Sequence, residues 1–439
     1  SIPQQRMDDA ETAYTVARRT LTAATSVLDT FPAARASLEA AIAVIDDKIA
    51  RARQDVALAD VRAAESLNDF RVSLEASLRS GRNEIYDDHY QPDHSARLVV
   101  RKTLWDDGRQ QVSRLAVGQE SEALGLQLLD IRAQRRLSLM ARYFDVLIAD
   151  MQDAADTEFL AVAYVAWDNA KDRQALGQMA SWELNELENR YMDARTLRDD
   201  GRRKLREKRM QLAAAMNRPG IVQEDLVDPR LPGNDRPLPE FETLLAQVLE
   251  RNPRLLAQRQ LLAAATSRLG VARADYRPSL EFEAEAATWD RPSTTRDDLR
   301  AGFNLVWPIW QGGRADARIG KEQARFHELQ AQHDKLVADL RQAVLEAREE
   351  IQHLRESERR RVEVNAAYRD IALEKARAEY ELELKANLGN SMAETQVARL
   401  RQRAIEYRLA LAWARLEALL GDPGELTRLA DAMKTEDRK

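Results

Sequence analysis

Phe303-Asn304-Leu305-Val306-Trp307-Pro308-Ile309-Trp310-Gln311-Gly312-Gly313-Arg314 changes character in mid-course. Its first part alternates as a strand with one greasy and one wet face does, and the Gly-Gly-Arg that follows opens a long helical pattern. The chain says nearly the same thing earlier, where Leu104-Trp105-Asp106-Asp107-Gly108-Arg109 leads into another long helical pattern; Gly108 and Gly313 are 205 residues apart. The flanks repeat too. Asp69-Phe70-Arg71-Val72-Ser73-Leu74-Glu75 reads like Asp275-Tyr276-Arg277-Pro278-Ser279-Leu280-Glu281, and Asn217-Arg218-Pro219-Gly220 reads like Gly421-Asp422-Pro423-Gly424. One unit of helix, strand pair and helical hairpin has been duplicated.

The duplication sets the organisation. A first repeat over residues 1–216 holds a strand hairpin at about 71–105 and a coiled-coil hairpin at about 108–216. A linker follows over 217–239, where Pro219, Pro229, Pro232, Pro237 and Pro239 forbid continuous helix. The second repeat, 240–421, holds a strand hairpin at about 279–310 and a coiled-coil hairpin at about 313–421, and a tail runs over 422–439. The Pro at Phe31-Pro32 matches that at Asn252-Pro253.

The strands are the most informative elements. In Ser279 to Trp289, Leu280, Phe282, Ala284 and Ala286 fall on one face and Glu281, Glu283 and Glu285 on the other. The partner segment, Leu299 to Trp310, sets Leu299, Ala301, Phe303, Leu305, Trp307 and Ile309 against Arg300, Gly302 and Asn304, and Trp289, Trp307 and Trp310 stand near strand ends, where an interfacial belt wants aromatic rings. In the first repeat Val72, Leu74, Ala76 and Leu78 alternate, as do Leu98, Val100 and Leu104, but Lys102 falls in the greasy row where Trp307 stands in the second copy. A lysine there costs energy unless it lies near the interface and snorkels.

The rest of the chain reads as long helices. Residues 321–388 contain neither Gly nor Pro, and Phe326, Leu329, Leu336, Leu340, Val344, Ile351, Leu354, Val362, Tyr368 and Ile371 fall mostly at steps of three, four or seven. As one helix this stretch spans roughly 100 Å, which requires partners along its length. Return helices are expected from about Trp182 to Met216 and from about Met392 to Leu420. With 44% apolar, 32% charged and only 6% aromatic residues, the composition suits narrow helical seams better than a thick globular core.

Composition also excludes functions. The net charge of −6 is spread with both signs along helical faces, so no basic face for nucleic acid is expected. Cysteine is absent, which removes disulfides, thiolate metal sites and cysteine nucleophiles. His89, His94, His327, His333 and His353 have no ligand spacing, no phosphate-binding glycine loop appears, and no catalytic constellation or cofactor is expected. No run of 18 apolar residues exists, so a membrane role must come through β-strands.

The duplicated hairpins, the Phe303 to Arg314 strand exit and the Leu416-Glu417-Ala418-Leu419-Leu420-Gly421 close together resemble the TolC family of bacterial outer-membrane efflux proteins over nearly the whole chain. The resemblance implies a mainly α fold with a small β part. Duplicated long antiparallel coiled-coil hairpins would form a hollow periplasmic tunnel, and four strands per chain would enter a trimeric twelve-stranded barrel in the bacterial outer membrane. It implies a passive duct working with a periplasmic adaptor protein and an inner-membrane transporter. On this reading Glu281, Glu283, Glu285 and Arg300 face the lumen, with the carboxylates favouring cations, while Leu280, Phe282, Trp289, Phe303, Leu305, Trp307 and Ile309 face lipid or its interface.

The hairpin tips, where the family touches its adaptor, fall at Leu176, Gly177 and Gln178 and within Leu382 to Ser391. Repeat symmetry favours Glu381 to Lys385 for the second turn; turn chemistry favours Asn387, Leu388, Gly389 and Asn390, with Ser391 and Glu394 as a capping box. Glu183, Glu186 and Glu394 are the candidate entrance acids, and Val397 stands where the family places a second ring. The rival readings are a soluble coiled-coil scaffold, in which the alternating segments are connectors, and a periplasmic adaptor protein, which normally adds small β-domains.

Overall fold

In the strand hairpins, apolar and polar side chains alternate with period two, and the chain forms strands there; almost everywhere else the apolar period is helical. A computed structural model describes residues 45–83, 87–218, 226–290, 297–382 and 388–421. Its elements are α1 (Ile45–Glu65), β1 (Arg71–Ser77), β2 (Ser80–Asn83), β3 (Asp87–Pro92), β4 (Ser95–Trp105), α2 (Arg109–Ala175) and α3 (Ser181–Ala215). After the linker come α4 (Phe241–Arg251), α5 (Pro253–Arg273), β5 (Ser279–Trp289), β6 (Leu299–Val306), α6 (Arg314–His353), α7 (Arg359–Glu381) and α8 (Leu388–Leu420). Phe31-Pro32 lies outside the described residues. The chain divides into two compact units, one of Ile49–Gln127 with Arg254–Leu336 and one that includes Leu128–Pro253 and Val337 onward, so each sequence repeat contributes to both.

In the first unit the four long strands form one antiparallel sheet in the order β1-β4-β5-β6, and β2 pairs with β3 in a separate hairpin. The strand exits are built alike in both repeats. Asp107 and Gly108 have φ of 52° and 78°, and their counterparts Gly312 and Gly313 have φ of 61° and 78°. This left-handed pair suits Gly and is tolerated by Asp. Charges then fasten each exit: Asp275 receives Arg109 at 2.9 Å and Arg318 at 2.8 Å, while Asp107 receives Arg277 at 2.8 Å. One carboxylate thus binds the first turns of both α2 and α6.

In the second unit α2 and α3 pack through a heptad seam in which Leu139 and Val146 meet Leu205, Leu212 and Met216. Further along, Asp156 of α2 is 2% exposed and lies where only Gly201 of α3 leaves room, since a Cβ there would come within 2.8 Å of its Oδ2. Burial raises the Asp156 pKa above its ordinary 3.8, helped by Asp153 and opposed by the Gln152 hydrogen bond and by Lys204. The folded state therefore holds this proton more tightly than the unfolded state, and stability falls as pH rises through the raised pKa. Asp156→Asn is expected to melt at a higher temperature than the parent at pH 7 and to lose that advantage below about pH 4, checked by circular dichroism.

The expected single helix over 321–388 is interrupted by a π-helical turn at Leu354–Glu358. The cause is visible in the seam. Leu354 and Val362 are both buried but eight residues apart, one more than a heptad allows, and a π turn absorbs one residue. Beyond it Val362, Ala366, Leu373 and Ala376 carry the buried row, so Tyr368 and Ile371, expected in the seam, stand exposed.

The linker is held by polar contacts. Asp228 accepts both nitrogens of Arg403 and the Tyr407 hydroxyl at 2.7 Å; Asn234 donates to the Glu406 carboxylate at 2.7 Å; Arg359 reaches Asp235 at 2.5 Å. Beneath it Phe144 and Tyr407 stack at 4.6 Å. Burial first, then the hydrogen bond to Asp228, pushes the Tyr407 hydroxyl up, so it stays a donor throughout the working range of pH.

Candidate functional site

The sheet leaves most of its greasy face bare and ties the charges of its other face to one another. Register places Leu74, Leu98, Ala286 and Leu299 in one row, Val72, Val100, Ala284 and Ala301 in the next, and Lys102, Phe282 and Phe303 in a third. Leu74 is 76% exposed, Leu299 76% and Phe303 68%, while Glu285 on the opposite face is 7% exposed. In water, leaving such side chains bare forgoes up to about 1.5–3 kcal/mol each; against hydrocarbon the arrangement is the favourable one.

Lys102 does lie in the greasy row, and the fold answers the objection it raises. Its Nζ sits 4.3 Å over the ring of Phe70, just outside the start of β1, so the charge is drawn to the strand end by an aromatic face. Phe282 and Phe303 form a cross-strand pair at 5.6 Å in the same row. Leu280 and Trp289 are half-buried, and Leu305 is exposed. The regular strand ends at Val306 rather than Trp310, because Pro308 has no N–H for a ladder. Trp307 and Ile309 therefore leave the strand, yet both remain exposed beside Trp310.

On the wet face, Glu281, Glu283, Glu285 and Arg300 lie together as expected, but Arg71 and Arg101 stand in the row of Glu283, and Glu75 and Arg97 in the next row beyond Glu285 on the same face. Arg101 meets Glu283 at 2.8 Å, Arg300 meets Glu285 at 2.8 Å, and Arg97 joins Glu75 at 2.6 Å and Glu285 at 3.7 Å. Four arginines face four glutamates, so the expected carboxylate excess is absent. The arginines of β1 and β4 obey the same alternation as their neighbours, which is the signal that could have found them.

The first tip turn falls where expected. Gly177 has φ of 72°; its N–H donates to Gln174 O at 2.9 Å and the Gln178 N–H donates to Arg173 O at 2.8 Å, the hydrogen-bond pair of a Schellman helix end. Leu176 is exposed beside it. In the second tip Lys385 and Asn387 lie outside the described residues. Leu388, Gly389, Asn390 and Ser391 are already helical, so Leu388 to Asn390 are not the turn and Ser391 is not a cap. Gly389 is small for another reason: a Cβ there would meet Val162 Cγ2 of α2 at 2.7 Å. Gly389→Ala is expected to cost about 1–3 kcal/mol by overpacking, whereas Gly320→Ala, with nothing within 4 Å of the new carbon, should gain from helix propensity. Thermal melts of the two variants check the contrast.

The three candidate entrance acids are all engaged. Glu183 accepts the Ala180 N–H at 3.3 Å, closing the first turn of α3, and Glu186 pairs with Arg190 at 2.5 Å. Glu394 is clamped by Arg369 of α7, whose carbonyl also accepts the Thr395 hydroxyl at 3.3 Å, and Arg399 reaches Asp370 at 3.5 Å. These last three contacts tie α7 to α8. No helix among the described residues is long and apolar enough to cross a membrane.

Comparison with known proteins agrees with this geometry. Residues 244–422 match the family model described as outer membrane efflux protein. Curated protein sequences yield no match. Among solved structures, the outer membrane protein VceC of Vibrio cholerae superposes with a TM-score of 0.70 at 18% identity, over 88% of this chain and 96% of that one. The CmeC outer membrane channel of Campylobacter jejuni gives 0.71 at 14% identity over 88% and 85%, and the open MtrE outer membrane channel of Neisseria gonorrhoeae gives 0.65 at 17% over 88% and 88%. With its long helical hairpins, its small antiparallel sheet and a matching second repeat, the chain carries an outer membrane efflux protein domain on the fold of these channels.

Proposed function

We propose that this protein is the outer-membrane duct of a tripartite exporter, passing cargo handed on by an inner-membrane transporter and a periplasmic adaptor protein. The observation that carries the reading is the sheet's bare greasy face, with Leu74, Leu299 and Phe303 exposed, opposite a face whose charges are paired with one another. A four-stranded sheet with β1 and β6 at its edges cannot stand alone in lipid, because unpaired N–H and C=O groups there cost several kcal/mol each. Three copies joined edge to edge make a closed twelve-stranded barrel, and threefold symmetry is the simplest closure. The exposed Leu176, Trp182 and Leu382 at the hairpin tips offer apolar contacts to the adaptor. The duct has no energy source of its own, and its opening separates α7 from α8 through the Arg369 to Glu394 clamp.

The test is made on protein extracted from outer membranes in detergent. A trimer that dissociates only on heating in dodecyl sulfate gels, and discrete conductance in planar bilayers, are expected. A monomer that stays soluble without detergent would instead support the coiled-coil scaffold.

A further inference from the structure

The rows of the wet face interleave charge. Across β1, β4, β5 and β6 they run Glu75–Arg97–Ala287, Ser73–Val99–Glu285–Arg300 and Arg71–Arg101–Glu283–Gly302. Arg300 also reaches Glu283 at 3.8 Å, so Arg97, Arg101 and Arg300 form one connected lattice with Glu75, Glu283 and Glu285. A pore selects ions by the net field of its wall. Six opposite charges paired at these distances are closely spaced dipoles, whose field fades over a lumen's width, unlike that of an unpaired carboxylate ring.

Resting on the duct reading above, we infer that this lattice makes the barrel wall electrically neutral, so that the barrel passes cations and anions nearly alike and Arg97, Arg101 and Arg300 are the residues that set this lack of preference. In the trimer each arginine is present three times, so losing one type uncovers three negative charges on one ring. The cargo class that suits such a wall is a solute of either sign or of mixed charge, and the barrel rejects none by charge.

The experiment reads selectivity from the barrel side. Trimers of the parent, of Arg300→Gln and of Glu283→Gln are confirmed on unheated gels and placed in planar bilayers under a potassium chloride gradient. The parent should show a potassium-to-chloride permeability ratio within about twofold of unity. Arg300→Gln should move it to about threefold or more toward potassium, and Glu283→Gln should move it toward chloride. Hexamminecobalt(III) added on the side opposite the tunnel should block Arg300→Gln and leave the parent open, which separates the barrel from any filter at the entrance. A parent that this cation blocks, or an Arg300→Gln trimer that behaves as the parent does, overturns the inference while leaving the duct intact. Verified trimers that carry no current in any variant overturn the duct itself.

Discussion

Phe303→Arg should abolish the heat-modifiable trimer and leave the chain out of the outer membrane. Phe303 lies in the middle of β6, 68% exposed, paired with Phe282 in the greasy row. An arginine facing lipid near the midplane of a barrel costs about 2–4 kcal/mol, and threefold assembly places three of them in one belt, so the total approaches the whole stability of an ordinary domain. Asn304→Arg, one residue on, is the control. Its side chain belongs to the wet face, in the row of Glu281 and Thr103, where an added cation has a carboxylate to meet. The expected result is a lost trimer for the first variant and a retained one for the second, read by membrane fractionation and unheated gels. If both variants assemble equally, the exposed face does not meet lipid. In water the contrast would run the other way or vanish, because Phe303→Arg would relieve an exposed aromatic ring.

Much of this architecture is legible in the amino-acid sequence, and the limits are physical. The four long strands and the two strand exits can be read because period-two alternation and Gly placement are local properties: Asp107-Gly108 and Gly312-Gly313 adopt the same left-handed turn. So do the repeat ends, where Asn217 and Gly421 have φ of 54° and 75°. The hairpin of β2 and β3 is not legible, since Ser80-Gly81-Arg82-Asn83 has no alternation to announce a strand. The π turn hides in a single step of eight between Leu354 and Val362, a one-residue slip that a heptad pattern tolerates by eye. Gly389 reads as a turn residue because close approach to Val162, distant in sequence, leaves no local trace.

The wet face shows the same division. Alternation assigns Arg97 and Arg101 to it as readily as Arg300, yet only strand register reveals that Arg101 stands opposite Glu283. Pairing, not composition, is what the proposal of a neutral wall rests on. The entrance acids repeat the lesson, since Glu394 carries the same charge whether it lines an opening or is held by Arg369.

Trp413→Ala is the second variant with a large effect, and it tests whether the linker is fastened or merely laid over the helices. Trp413 is 1% exposed, with the Arg236 guanidinium 4.3 Å over its ring and Glu417, one turn later, holding the same arginine at 2.6 Å. Arg355 adds a bond to the Arg236 carbonyl at 3.2 Å. Truncating a buried tryptophan costs about 3–5 kcal/mol, and here the cavity opens directly under a linker arginine. Glu417 also faces Arg136, whose pKa burial lowers to about 10, so the carboxylate offsets two guanidiniums in a partly dry setting. Losing the ring admits water to that setting and weakens both pairings at once. The expected outcome is a lower melting temperature together with tryptic cleavage after Arg230, which precedes Leu231, while Trp413→Phe keeps the linker protected because a phenyl ring still fills most of the space and still faces the guanidinium. Cleavage of the parent at the same rate would show that the linker is not held at all. Cleavage of the alanine variant without a fall in melting temperature would show that the clamp restrains the linker and contributes little to the helices beneath.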